Sequence, residues 1–248
     1  MKVAISQPTY LPWLGYFDLI DQVDSFVLLD DVQFDKRSWQ QRNRIKGPGG
    51  LQWLTVPVVS SGRFTQHISQ VEIGQSEFWK SHLRAIELSY RRAPYFDAYF
   101  PHLTKILAGH GGFLAELNCC LIEWLCGALG VSTQKVRSSK LEEGGKRSEL
   151  LVNLCRRLQA ESYLSPIGSA VYLLDELRSF SNSGIEVVFQ HYEHPEYRQL
   201  FPPFCPYASV LDLIFNEGDH SMEILRAGRR TSFTPDELIV AAASQGHV

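Results

Sequence analysis

The sequence predicts an α/β fold: a mostly parallel open sheet carrying a helical insertion or subdomain. Three observations predict it. The first 30 residues hold a strand-like run, a helix-like run and a second strand-like run, the size of one βαβ unit. From Ser76 the apolar period becomes helical, giving a helical block at about 76–130. Beyond it, strand and helix patterns alternate again, as expected when helices cover both faces of a parallel sheet. The chain has 248 residues, 44% of them hydrophobic. It shows no internal repeat and no low-complexity linker, so residues 1–240 read as one domain and 241–248 as a flexible tail.

Each element has its own signal. Lys2–Ser6 is a short β-branched and apolar run stopped by Gln7-Pro8 and again by Pro12. Leu14 to Gln22 carries Leu14, Phe17, Leu19 and Ile20 at helical spacing, and Ser25 to Leu29 is wholly apolar, as in a strand covered on both faces. Leu51–Val59 and Ile68–Ile73 read as strands separated by a turn at Ser60-Ser61-Gly62. Phe78, Leu83, Ile86 and Tyr90 mark a helix closed by Pro94, followed by helices at Asp97–Ala108 and Phe113–Leu129. A strand at Thr133–Arg137, a helix at Arg147–Leu158, a strand at Ser162–Ser165, a helix at Val171–Phe180 and a strand at Glu186–His191 follow. Helices at Ser209–Phe215 and Met222–Leu225 complete the order.

Composition excludes several function classes. With 24 basic against 27 acidic residues the net charge is -3, so no global positive field favours nucleic acid. The opening residues are too short an apolar run for a signal peptide, and no stretch has the roughly 18–20 apolar residues of a membrane span. The expectation is a soluble, cytoplasmic protein. Five cysteines without a C-x-x-C pair make a poor disulfide framework and a poor zinc site. His191 and His194, three apart, fall on opposite faces of a strand without an evident third ligand, so no metal is expected. Gly144-Gly145-Lys146-Arg147-Ser148 lacks the first glycine of a P-loop, and the dinucleotide, serine-hydrolase and zincin motifs are missing.

What remains is local. The loop from Gln7 to Phe17 joins the first strand to a helix, at the carboxyl edge where open α/β sheets bind ligands, and that helix N-terminus would offer free N–H groups to an anion. Gln7, Thr9 and Tyr10 are candidate ligand contacts there, whereas Trp13 and Phe17 read as core. The second strand ends in Asp30-Asp31-Val32-Gln33-Phe34-Asp35; Asp30 and Asp31 are candidate acid/base groups, or else capping carboxylates of a solvated strand end, and Gln33 is a candidate ligand contact. Between Lys36 and Lys46 stand five positive charges and no acid. Arg42 and Arg44 would share one face of a strand and, with Asn43 and Lys46, could anchor a diphosphate at about 1.5–3 kcal/mol per charge-assisted hydrogen bond. Surface pairing with the neighbouring acids, worth about 0–1 kcal/mol, explains such a cluster poorly. His194, between a strand and a proline-rich loop, is a candidate acid/base; His82, beside Trp79 and Ile86, is either a second one or a packed, satisfied side chain.

These strings carry a resemblance. Ile5 to Phe17, Leu29 to Phe34, Arg42-Asn43-Arg44-Ile45-Lys46 and Trp53 to Val58 resemble the WbqC-like family. Trp79-x-x-His82, Ala93-Pro94-Tyr95-Phe96, Tyr163-Leu164-Ser165, His194-Pro195-x-Tyr197 and Ser209 to Asn216 extend the likeness over nearly the whole chain. The resemblance implies a transferase of bacterial surface-polysaccharide (O-antigen, lipopolysaccharide) biosynthesis, with a glycine or aminoacyl transfer to a nucleotide-linked amino sugar as its proposed chemistry. Many members have a histidine where this chain has Ser6. The strand, proline loop, Trp-x-Gly-Tyr, helix and strand order also looks like nucleotidylyltransferases and pantothenate-synthetase-like ligases. That likeness implies a Rossmann-like strand order, and ATP as cofactor if the protein is an amide-forming ligase. Trp13-Leu14-Gly15-Tyr16 replaces the two histidines with which those enzymes hold ATP phosphates. A non-catalytic binding protein of the same pathway is the third alternative; in each case the partner is a nucleotide-sugar or another phosphorylated small molecule.

Overall fold

The structure, a computed structural model, describes residues 1–245. Five strands form the main sheet: β1 (Lys2–Ser6), β2 (Ser25–Leu28), β5 (Gln134–Arg137), β6 (Ser162–Ser165) and β7 (Glu186–Phe189), in the order β5-β2-β1-β6-β7. Every pairing is parallel, with Val3 opposite Ser25, Lys2 opposite Ser162, Ser25 opposite Gln134 and Ser162 opposite Glu186. The chain winds outward from β1 to β2 and β5, then crosses back to lay β6 and β7 on the other side. The connections after β1 and β6 therefore diverge, and a crevice opens between them at the carboxyl edge. The fold is α/β with a parallel sheet, as the sequence predicts.

Alternation along the strands separates two apolar layers. Val3, Ile5 and Val27 pack with Leu154, Tyr163 and Phe180, on the side of α5 (Ser148–Arg157), α6 (Ala170–Leu173) and α7 (Arg178–Ser181). Ala4, Phe26 and Leu28 face a larger cluster built from α1 (Leu14–Asp21), α2 (Phe78–Tyr90), α3 (Phe96–Gly109), α4 (Leu114–Leu129), α8 (Val210–Glu217) and α9 (Ser221–Ala227). Each fully buried Leu or Phe there contributes about 1.5–3 kcal/mol of transfer free energy.

Two further strands form a separate antiparallel ribbon, β3 (Arg42–Gly47) and β4 (Gly50–Thr55), with Arg44 opposite Trp53 and Gly47 opposite Gly50. Pro48-Gly49 makes the tight turn, and Gly50 takes a φ of +103 that side chains disfavour.

Three segments depart from the expected elements. Ile68–Ile73 is not a strand: Ile68–Gln70 is a 3-10 turn, closed by the Gln70 side chain accepting from the His67 N–H. Ile68, Val71 and Ile73 are all buried, so the apolar pattern reports burial, here met by packing rather than by strand pairing. Val171–Phe180 is broken into α6 and α7 by a 3-10 turn at Leu174–Glu176. A helix, α10 (Pro235–Gln245), stands where only a tail was expected from 241, started by Thr234 and Glu237 bonding reciprocally to each other's backbone N–H. The last three residues of the expected tail lie outside the described residues. Among the described residues, no helix is long and apolar enough to cross a membrane.

Candidate functional site

The crevice between the β1 and β6 connections encloses about 410 Å³, within the range of about 300–1,000 Å³ that small-molecule sites occupy. Ser6 and Thr9 line it from the end of β1, Pro166, Ile167 and Gly168 from the turn after β6, and Gln190 from the end of β7. Trp13, Tyr16 and Leu19 of the α1 side, Trp39, and Tyr207 from the proline-rich loop complete mostly apolar walls. The walls are tied together by hydrogen bonds to backbone carbonyls: Val210 N–H donates to Pro12 O, Ser209 N–H to Arg44 O and the Asn43 side-chain Nδ2 to Leu11 O, all at 2.8–2.9 Å.

The helix N-terminus does not offer the anion site expected from the sequence. The Trp13 indole folds back across the first turn of α1, so close that a Cβ on Gly15 would lie 2.3 Å from the ring. Glycine at 15 is the bed on which the indole rests. The ring covers the turn where a dinucleotide fold receives its phosphates.

The positive groups that remain open lie on the β3–β4 ribbon. Arg42 and Arg44 share one face of β3, as their spacing requires. The Arg42 guanidinium sits 4.3 Å from the Trp53 ring centre, and that of Arg44 lies 5.5 Å from Trp53 and 5.6 Å from Trp39. Arg37, held at a φ of +64, brings a third guanidinium to the same cleft of about 290 Å³. Among the described residues none of the three makes an ion pair, and the Arg44 Nε is buried without a hydrogen-bond partner. Arg44 and Trp39 line both this cleft and the crevice, so the two spaces adjoin at these side chains.

Other nominated residues are committed elsewhere. The Asp30 carboxylate, fully buried, accepts from Arg137 Nε at 2.6 Å, from Ser139 N–H and Oγ at 3.0 Å and from Ser138 Oγ at 3.2 Å. Asp31 also accepts from Ser138 Oγ, and the Gln33 amide donates to Phe64 O at 3.0 Å on the surface. Lys46 is buried, its Nζ on Pro203 O at 2.6 Å and Cys205 Sγ at 2.9 Å. Gln7 does not line the crevice; its Oε1 accepts from Gln40 Nε2 at 2.8 Å.

Tyr10 and His82 form a core pair. His82 Nε2 can only donate to the Thr55 carbonyl at 3.2 Å, so Nδ1 accepts from the Tyr10 hydroxyl at 2.8 Å. Burial pushes the His82 pKa down to about 4, keeping the ring neutral. His194 is different. Its Nδ1 donates to Pro195 O at 2.8 Å, which leaves Nε2 unprotonated, buried and without a partner. The ring lies between Trp13 and Tyr197 and against Tyr207, and burial lowers its pKa.

The structure thus brings Thr9, Asn43 and Arg44 into the crevice, with Arg42 beside it and His194 behind two of its walls. Sequence reasoning passed over Ser6, Arg37, Gln190 and Tyr207 and placed Trp13 in the core. Ser6 and Gln190 could have been found by one rule, that residues ending the parallel strands of one sheet share its carboxyl edge. Among the described residues, no group of three or more His, Cys, Asp or Glu side chains could hold a metal ion.

Comparison with known proteins gives two findings. A model described as the WbqC-like protein family matches residues 7–224. A Mycobacterium tuberculosis protein named Uncharacterized protein Rv1507c is 41% identical over 231 residues, covering 92% of this chain and 99% of its own length. No solved structure matches the chain.

Proposed function

The chain belongs to the WbqC-like protein family, and on that footing we propose that it is a transferase of bacterial surface-polysaccharide biosynthesis, acylating the amine of a nucleotide-linked amino sugar with a glycyl or other aminoacyl group. The observation that carries the proposal is the set of three arginines without counter-ions, opening onto a crevice at the point where the strand order reverses. Unpaired guanidiniums held over aromatic rings are suited to a diphosphate, which takes bidentate hydrogen bonds from them. In the transfer, the amine nitrogen attacks the acyl carbonyl, a C–N bond forms, and the donor's leaving group departs with the electron pair of its bond to carbon. The amine proton needs an acceptor. Asp30 is taken up by Arg137 and two serines, whereas His194 holds an unprotonated Nε2 behind the crevice walls Trp13 and Tyr207. His194 is the base in this scheme, and it serves only once Trp13 or Tyr207 swings aside to open the buried Nε2 to the crevice.

A second reading, a binding protein of the same pathway, is favoured by one observation: the residues lining the crevice include no carboxylate, histidine or thiol. Two measurements separate the readings. Calorimetry with a panel of UDP-, dTDP- and GDP-linked amino sugars should show binding that Arg42→Glu plus Arg44→Glu abolishes; unchanged affinity would remove the diphosphate site. Incubation of the bound sugar with activated glycine, followed by mass spectrometry, should show the glycyl amide, and binding without product would leave the second reading standing.

A further inference from the structure

Resting on the nucleotide-sugar reading, we propose a polarity for the ligand: the sugar enters the crevice, the diphosphate lies on Arg37, Arg42 and Arg44, and the nucleobase stacks outside on Trp53 and Trp39. The two spaces meet at Arg44 and Trp39, so a ligand with phosphates at that junction must send one end inward and the other outward.

The outer end has a platform. Trp39 and Trp53 are each 47% exposed, whereas the other three tryptophans, Trp13, Trp79 and Trp124, are partly buried against the core. Their rings lie 5.4 Å apart at 36° to each other, with the unpaired guanidiniums alongside. A flat π-face beside phosphate-binding cations is the surface on which bases stack in sequence-tolerant nucleic-acid sites.

The inner end is the drier one. Gly15, Leu19 and Tyr16 form its floor on the flank of α1, and His194 stands behind Trp13 and Tyr207. A reacting amine gains from a place that excludes water, whereas the nucleotide, which only holds the substrate, does not need one. Three polar atoms on the walls, Ser6 Oγ, Thr9 Oγ1 and Gln190 Oε1, accept or donate no hydrogen bond within the described structure and are available to sugar hydroxyls.

The polarity is tested with three probes on the full chain: UDP, glucosamine 1-phosphate and inorganic pyrophosphate. Trp53→Ala should weaken UDP about fivefold to a hundredfold, the range of one base–aromatic stack. It should weaken glucosamine 1-phosphate and pyrophosphate less than UDP, by about twofold to fivefold for the lost cation–π contact, and Trp53→Phe should restore most of the UDP affinity. Thr9→Val, nearly isosteric, should weaken glucosamine 1-phosphate by about fivefold and spare UDP. The reverse pattern, with UDP sensitive to Thr9→Val and indifferent to Trp53→Ala, overturns the polarity while keeping the nucleotide-sugar reading. If none of the three probes binds the unaltered protein, the nucleotide-sugar reading falls and the polarity with it.

Discussion

Two charged regions follow one another in the sequence and behave oppositely in the fold. At the edge of β2 and β5, Asp30 meets Arg137 and the serines 138 and 139, with Glu116 on the outer side of Arg137. On and just before β3, a few residues later in the chain, Arg37, Arg42 and Arg44 pair with no acid among the described residues. The neighbouring acids and bases do not neutralise each other. The acids recruit a base from more than 100 residues away, leaving the ribbon charged. A closed cluster holds a fold together, and an open one leaves its charge available to a ligand such as the one proposed above.

That contrast can be broken at either side. Asp30→Ala should cost about 3 kcal/mol of folding stability in urea titrations, because it removes the buried partner of Arg137, leaving the exposed Glu116 alone with it, and the acceptor of the Ser139 hydroxyl. Arg42→Glu plus Arg44→Glu should cost about 1–2 kcal/mol, from half-buried cation–π contacts at about 0.5–1 kcal/mol each, while removing anion binding. Equal losses of stability from the two changes would mean that the ribbon arginines are structural after all.

The same contrast explains what could be read from the sequence. Local periodicity marked β1, β2, β6 and the helices between Phe78 and Leu129, because each buries a face of its own. The shared face of Arg42 and Arg44 was legible for the same reason. Pairings such as Asp30 with Arg137, or Tyr10 with His82 across 72 residues, leave no local pattern. The crevice was half legible: the β1 loop announced itself with two prolines and three aromatics. The opposite wall, Pro166–Gly168, Gln190 and Tyr207, acquires meaning only once β6 is laid beside β1.

A second comparison, between two buried titratable groups, sharpens the account of pH. Burial pushes the Asp212 carboxyl up from 3.8 to about 6, and pushes His82 down from 6.5 to about 4. In the folded protein Asp212 holds a proton that the unfolded chain releases, so its contribution is full below about pH 4 and is lost as pH rises through 6. His82 works the other way: its neutral form is undisturbed above about pH 6.5, and stability falls as pH drops toward 4. Each shift corresponds to about 3 kcal/mol, so the two slopes nearly cancel. Asp212→Asn, which keeps the donors of Gln199 satisfied, should uncover the His82 slope, with stability declining on acidification from about pH 6.5 to 4. His82→Phe should uncover the opposite one. A variant pair with identical pH profiles would show that neither group carries its proton as the packing requires.

At Gly15 the expected loss of stability is smaller than at Asp30. Its missing Cβ lets Trp13 lie across the start of α1 and form a crevice wall, while Gly218, where an added Cβ would meet the Tyr95 ring at the same 2.3 Å, is far from any ligand surface. Gly15→Ala and Gly218→Ala should each lose about 1–3 kcal/mol through overpacking, with additional backbone strain at Gly218, whose φ is +50. Only Gly15→Ala should also shift the tryptophan fluorescence and weaken nucleotide-sugar binding, because only there does the displaced ring form a wall of the crevice. If the two variants lose binding in proportion to their loss of stability, Trp13 serves the core alone, and the helix N-terminus it covers regains its claim as the anion site.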